Sequence, residues 1–403
     1  MSKLTIGFFN DSFYPFADGV IMVMDNYAKR LCKDNNVIVF VPRYHKKFDD
    51  SKLPYKVVRC RSIKVPFLDY SLPLPLFDRK YRKELKNSNL DIVHIHSPFT
   101  IGNSGLKYAK KHKIPSVATM HSQFKRDFKR VVKIDRVATK LNNKLVRFFN
   151  KCDECWAVNE EVARIYYEDY KYKKLPKVMN NATEMLPVEN KKKAIKYINK
   201  KHDLKNNEKV FLFVGRINLL KNVLFIVDSL CALKKKKPNF KFKMLFVGSG
   251  QDEVILKNRV NRLGLNDSVI FCGKITNREE LSYYYKRADL FLFPSFYDAS
   301  SIVQIESASQ STPGLFIEGT ATSCMITDNV NGYLSKNTIG AYSDKIIEIF
   351  KDKKLYDKVC KNVYIDIYKT WDQIVDSAYE NYKYLIDNKR EEWNDKSFKR
   401  KVW

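Results

Sequence analysis

Two carboxylates, Asp298 and Glu306, are the side chains best placed by type and spacing to do chemistry, and both lie in PSFYDASSIVQIESASQSTP, Pro294 to Pro313. The apolar run that starts at Asp289 and continues LFLF reads as a buried strand stopped by Pro294, and Thr312-Pro313 closes a helix expected from about Ser300 to Gln310. Asp298 then sits in the loop beyond the carboxyl end of a strand, where open α/β sheets bind ligands. The helix start offers free N–H groups to an anion, and Glu306, one or two turns further in, is positioned to accept hydroxyl hydrogen bonds. Such a layout suits a phosphorylated sugar.

A second polar set follows another strand. In Gly215-Arg-Ile-Asn-Leu-Leu-Lys221 the two cations, Arg216 and Lys221, are spaced to reach one diphosphate. Gly248-Ser-Gly250 follows the next strand and reads either as a plain βα turn or as a close backbone approach to a ligand. The front half contributes Asp18-Gly19 after its first strand, and His94, His96 and His121 at later strand ends. Alternation puts His94 and His96 on one face; polar cleft lining accounts for them better than a zinc triad does. His121, where Thr119-Met-His121 leaves the sheet, is the best candidate to contact a reacting sugar. Cys152-Asp-Glu-Cys155 has metal or redox spacing but no second pair, so it reads as structural. No GxxxxGK[ST] is present, and the first strand does not lead into GxGxxG, which argues against a P-loop ATPase and a dinucleotide enzyme.

The elements that must carry these residues are short apolar runs separated by helical patterns, as in Asn36-VIVFV-Pro42, Asp91-IVHI-His96 and Lys209-VFLFVGRI. They predict βαβ units and parallel sheets in both halves of the 403-residue chain. The expected organisation is a first α/β domain over 1–185, a polar Lys/Asn-rich linker over 186–208, a second α/β domain over 209–365 and a helical tail over 366–403. No apolar run is long enough to span a membrane and the start reads as a strand, so a cytoplasmic protein is expected. The eight scattered cysteines agree with a reducing compartment.

Lys and Arg outnumber Asp and Glu by 74 to 45, a net charge of +29. Either the surface is simply lysine-rich, or the partner is anionic. The densest stretch, FKRDFKRVVKIDRVATKLNNKLVRFFNK from Phe124 to Lys151, steps both its cations and its apolar residues by three or four. One or two helices would thus be basic on one side and apolar on another. Packing against its own domain and docking on anionic lipid are both open readings; for the second, Lys125, Arg126, Lys129, Arg130, Lys133, Arg136 and Lys140 are the contact residues. No nucleic-acid module accompanies the charge.

Six motifs in order (NDSFYPFADGV, HIHSPFTIG, TMHSQF, GRINLLK, FPSFYD…VQIESASQSTP and NGYL) resemble the retaining GT-B glycosyltransferases of family 4, from about Ile6 to Tyr384. The resemblance implies two Rossmann-like, doubly wound domains with an active cleft between them and a carboxyl-terminal helix that crosses back to the first. It places Gly19 under the donor phosphates and His121 beside the donor sugar, its backbone carbonyl near the reacting carbon. Arg216 and Lys221 would hold the diphosphate and stabilise its growing charge. Asp298 would bind sugar hydroxyls, Ser300, Ser301 and Ile302 would supply backbone amides, and Glu306 would bind ribose; Gly250 and Lys274 complete the nucleotide-sugar contacts.

No metal or other cofactor is expected, since Arg, Lys and a helix start carry the charge and no D-x-D occurs. The chain departs from the family pattern at Asp298, where Glu is usual, at Ser301 and Ser311, where Gly is common, at Cys324 for Glu, and at Asn181-Ala182 for Asn-Gly. The implied reaction moves a hexose, glucose from UDP-glucose, to a membrane lipid such as diacylglycerol with an α-linkage. First-domain loops such as Arg61 to Pro75 would shape the acceptor pocket, and the enzyme would work peripherally on the inner face of the cell membrane. The alternatives are a transferase of capsular or teichoic polysaccharide and a non-catalytic partner of another transferase.

Overall fold

The computed structural model describes residues 3–16, 18–44, 48–64, 71–296 and 298–401, the side chains of 130, 131 and 392–401 excepted. Two compact units divide the chain: Met1–Asn181 with Trp371–Trp403, and Ala182–Thr370.

The first unit is built on β1 (Thr5–Phe9), β2 (Asn36–Pro42), β3 (Lys56–Cys60), β4 (Ser62–Lys64), β5 (Ser71–Pro73), β6 (Ile92–Ile95), β7 (Ser116–Met120), β8 (Glu154–Ala157) and β9 (Lys177–Val178). Seven of these form one parallel sheet in the order β3-β2-β1-β6-β7-β8-β9, while β4 and β5 pair as an antiparallel ribbon. Strands covered on both faces read as unbroken apolar runs, and β2 is buried at every residue from Val37 to Pro42. The order reverses between β1 and β6, so their carboxyl ends flank a crevice of the kind that binds ligands.

The helix Trp371–Lys401 belongs to this unit. Its Trp371 meets Tyr27 edge-on, Arg30 bonds Asp372 at 2.8 Å, and Asn381 donates to Glu154 at 2.7 Å. Deeper in, Tyr382 stacks on Trp156 and lies 2.5 Å from His94 Nδ1. His94 Nε2 is satisfied by Thr119 at 2.7 Å, and the ring is fully buried. His94 is therefore a core residue that joins sheet to helix, not cleft lining as its strand position suggested.

The second unit carries β10 (Lys209–Val214), β11 (Phe242–Val247), β12 (Val269–Gly273), β13 (Leu290–Leu292), β14 (Gly314–Ile317) and β15 (Tyr333–Ser335). They form a parallel sheet in the order β12-β11-β10-β13-β14-β15, with its reversal between β10 and β13. The expected linker over 186–208 is corrected here. Asn190 caps a helix, Lys191–His202, that buries Ala194 and Ile198, and Ile198 joins this unit's core. The polar composition that suggested a linker is the outer face of that helix. At the other end Lys353–Ile367 is still a second-unit helix, with Val359, Val363 and Ile367 in the same core.

Candidate active site

In the second unit the two strands at the reversal deliver the polar set. After β10 comes Gly215 at φ +152, then exposed Arg216. A single turn, Leu219–Lys221, is capped by Asn218 and presents Lys221. After β13 the loop brings Asp298 to Lys221, and the two form an ion pair with both side chains 17% exposed. Ser295 Oγ donates to the other carboxylate oxygen at 2.6 Å, and the Lys221 ammonium lies 5.4 Å from the Phe293 ring. The cation assigned to the diphosphate and the carboxylate assigned to the sugar thus hold one another in this state. Arg216 has no ion pair or side-chain hydrogen bond among the described residues.

The helix after Asp298 is Ile302–Ser309, shorter at both ends than the expected Ser300 to Gln310. Its N-cap, Ser301, makes no side-chain capping bond, and Ser300 and Ile302 lie with it at the helix start. The first N–H groups are thereby left for a ligand. Glu306 is buried, but it is not solitary: Arg278 Nη2 donates to Oε1 at 2.6 Å and the Tyr285 hydroxyl to Oε2 at 2.9 Å. The sequence reading missed both partners. One signal was available, since Arg278 and Tyr285 are two turns apart on one helix, Arg278–Arg287, and so share a face.

Gly250 has a structural reason to be glycine. A Cβ there would lie 2.0 Å from the Ile217 carbonyl oxygen, and one at Gly248 1.9 Å from that of Gly215. The two loops that follow β10 and β11 touch backbone to backbone, so the open reading of the GSG turn resolves toward loop packing. Lys274 is exposed just beyond Gly273, whose φ of +68 turns the chain out of β12.

In the first unit the reversal carries a different kind of site. Asp11, after β1, receives the Thr100 hydroxyl at 2.7 Å, the Ile101 amide at 2.8 Å and the Ser97 hydroxyl at 2.6 Å. It anchors the start of the helix Thr100–His112. Burial nevertheless raises its carboxyl above the ordinary range. Gly19 opens the helix Gly19–Leu31, capped by Asp18 through Ile21 N at 2.8 Å. A Cβ at Gly19 would meet nothing within 4 Å, so the space before that helix is open. His121 Nε2 is 3.0 Å from His96 Nδ1, with the rings stacked. One proton serves that contact, and burial pushes His121 down to about 3 and His96 well below its usual range, so both rings are neutral near pH 7.

His96 and His121 line a cavity of about 1200 Å³ within this unit. Its walls are apolar: Leu72, Leu74, Phe77, Phe99, Phe128 and Leu141 come from four separate stretches of chain. Arg82, Lys86, Lys107, Lys111 and Lys144 stand at its exposed edge. Of the loop expected to shape an acceptor pocket, Ser71 to Pro75 are in the wall, and residues 65–70 lie outside the described residues.

The basic stretch folds as two helices, Phe124–Val132 and Asp135–Phe149, broken at Lys133 in the left-handed conformation. The apolar series divides. Leu145, Val146, Phe148 and Phe149 are buried, whereas Ile134, Val137 and Leu141 are 57, 40 and 37% exposed. They sit three and four residues apart, so an apolar stripe runs outward between Lys133, Arg136 and Lys140, with Leu141 both partly exposed and lining the cavity at its rim. Lys129 pairs with Asp135 at 3.1 Å; Lys125 and Arg126 are in the first helix, and the Arg130 side chain lies outside the described residues.

Cys152 and Cys155 are buried, and the neighbouring Cys155 together with burial holds the Cys152 thiol well above its usual range, as suits an inert structural pair. Among the described residues no three His, Cys, Asp or Glu side chains are grouped to hold a metal ion, and no helix is long and apolar enough to cross a membrane.

Comparison with known proteins agrees with this architecture. Residues 17–183 match the model of Glycosyltransferase Family 4, and residues 195–366 that of Glycosyl transferases group 1. An alpha-monoglucosyldiacylglycerol synthase of Acholeplasma laidlawii is 25% identical over 400 residues, 90% of this chain and 97% of that one. One of Streptococcus pneumoniae is 26% identical over 377 residues, covering 89% and 83%. Among solved structures, a glycosyltransferase from Rickettsia africae superposes with a TM-score of 0.76 at 19% identity, over 96% of this chain and 100% of that one. With one model on each half of the chain and the same fold throughout, the chain belongs to the GT-B glycosyltransferases of family 4 and group 1.

Proposed function

We propose that this glycosyltransferase moves glucose from UDP-glucose to a membrane lipid, 1,2-diacylglycerol or a close relative, with retention and an α-linkage. The observation that carries the acceptor is the apolar cavity of about 1200 Å³ in the first unit. That volume exceeds the roughly 300–1,000 Å³ of common small-molecule pockets, and its walls suit hydrocarbon rather than sugar. The names of the two relatives point the same way.

The donor reading rests on the second unit. Arg216 and Lys221 neutralise the diphosphate as it leaves, the helix start at Ser300, Ser301 and Ile302 supplies amides, Asp298 receives sugar hydroxyls and Glu306 receives the ribose. In this reading the charge on the leaving group is met by side chains and a helix start, so no metal is needed. The neutral His121 serves as a hydrogen-bonding wall for the sugar and not as a proton donor. Gly19 leaves room for the phosphates. The outward stripe Ile134, Val137 and Leu141, flanked by cations, holds the enzyme peripherally on anionic lipid at the inner face of the cell membrane.

The test is transfer from UDP-glucose to diacylglycerol in mixed vesicles, with the anomeric configuration of the product read by NMR. An α-glucosyl lipid is expected. Transfer to a soluble or polyprenyl-linked glycan, with none to any glycerolipid, would remove the acceptor assignment and leave the polysaccharide reading.

A further inference from the structure

We propose that Arg278 is a positioning residue for Glu306, and that it sets the enzyme's demand for a nucleotide with an intact ribose 2′,3′-diol. The inference rests on the donor reading above. It begins from a local conflict. Arg278 is the first residue of the helix Arg278–Arg287, capped by Asn277. The start of a helix is its positive end, where Glu279 and Glu280 are favourable and an arginine is not. A residue that breaks a local rule is expected to be held for another reason.

The reason visible here is Glu306. Arg278 Nη2 lies 2.6 Å from Oε1, and the Tyr285 hydroxyl lies 2.9 Å from Oε2. The Glu306 side chain is 5% exposed and that of Arg278 is 52% exposed. Each carboxylate oxygen accepts about two hydrogen bonds. One site on each oxygen is taken, by donors from one helix, and one on each remains. Two fixed, adjacent acceptor sites match a vicinal cis-diol, whose two hydroxyls donate in parallel. Arg278 also offsets the charge of a buried carboxylate that must receive an anionic nucleotide. Without it, Glu306 keeps only the Tyr285 bond, its plane is no longer fixed from both sides, and its charge faces the incoming diphosphate uncompensated.

A merely structural ion pair makes a different prediction. With one partner half in water, the pair adds little to stability, and its loss would leave nucleotide selectivity alone. The experiment uses the full chain, with calorimetric titration of UDP and 2′-deoxy-UDP and steady-state kinetics with UDP-glucose. The wild type is expected to favour UDP over 2′-deoxy-UDP by about tenfold or more, the worth of one hydrogen bond to a charged group. Arg278→Met should lose about tenfold in UDP affinity, with the preference for the diol falling toward one, and should raise KM for the donor with kcat within about twofold. Arg278→Lys should recover part of both losses. Tyr285→Phe should shift selectivity the same way by less, which keeps the question answerable if Arg278→Met folds poorly. Wild-type affinity and wild-type diol preference in Arg278→Met, beside a wild type that binds UDP, would overturn the inference alone. A wild type that binds no UDP would overturn the donor reading and this inference together.

Discussion

The two units carry their candidate sites at the same place in the same topology, yet with opposite chemistry. Each sheet reverses between its first strand and the strand added on the other side, and each candidate site lies beyond that reversal. In the second unit the crevice is polar and internally balanced: Lys221 holds Asp298, and Arg278 with Tyr285 holds Glu306. In the first unit the space is large, apolar and edged by cations that have no carboxylate partner among the described residues. The balanced site is built to exchange internal hydrogen bonds for those of a polar ligand at little net loss. The apolar one gains by removing hydrocarbon from water, which is non-directional and tolerant of shape. One fold thus supplies a selective half and a permissive half, and the proposed donor and acceptor differ in the same sense.

The largest effect expected from breaking this contrast is on the selective side. Lys221→Met should lower kcat by roughly two to three orders of magnitude, the size of losing one preorganised group at a developing charge. Phe128→Asp, in the cavity wall, should instead raise KM for the lipid and leave UDP binding unchanged. Measuring both constants for both variants is the check. If Phe128→Asp weakened UDP binding as much as lipid use, the division of labour between the units would be wrong.

A second contrast is the distribution of buried histidine. His94, His96 and His121 all lie in the first unit with folded-state values below 6.5, chiefly from burial. In the second unit His202 is shifted in the same direction but is only partly buried. For a base whose folded value is lowered, the unfolded chain binds protons first. Stability contributed by the neutral ring is full above about 6.5 and falls as pH drops below it, down to about 3 for His121. Each ring that stays neutral gives up about 1.4 kcal/mol per pH unit in that window. No tryptophan lies within the second unit, Ala182–Thr370, and Trp156 and Trp371 are buried in the first, so tryptophan emission reports nothing of the second unit. Between pH 7 and 5.5 the urea midpoint seen by emission should fall more than the midpoint of the remaining far-ultraviolet signal. Equal falls would show that the acid sensitivity is not local.

The same contrast governs what the sequence made legible. The proposed donor half is carried by single polar residues at fixed distances from strand ends, so Arg216, Lys221, Asp298 and Glu306 can be read as candidates from spacing. The loop at Asp298 was legible for the same reason, because Pro294 and Thr312-Pro313 punctuate it. The cavity was not, since its wall draws Leu72, Phe99, Phe128 and Leu141 from separate elements and apolar residues carry no role in their type. The helix Lys191–His202 was hidden because only Ala194 and Ile198 of its residues are buried, too few to show a period among lysines. His94 was misplaced by a rule that is correct for most of a strand: alternation gives a side chain's face and says nothing of what packs on it. Here it is the helix Trp371–Lys401, from the far end of the chain.

The smallest expected effect concerns two basic runs that composition cannot tell apart. Lys234 to Lys237 ends the helix Val223–Lys236, where cations suit the negative end of the helix and need no partner. Lys133, Arg136 and Lys140 instead flank the exposed Ile134, Val137 and Leu141. Only the second run couples charge to apolar surface, so only it should dock on a bilayer. Lys140→Glu is expected to weaken binding to vesicles rich in anionic lipid by about fivefold or somewhat more, since each nearby cation adds about 1 kcal/mol. Lys235→Glu makes the same change in net charge and should leave binding within about twofold. Raising the salt should narrow the gap, because the Debye length falls to about 3 Å at 1 M and screens the exposed charges. If both reversals weakened binding equally, the attraction would come from the net +29 of the whole chain, and the outward stripe would lose its assignment as the membrane face.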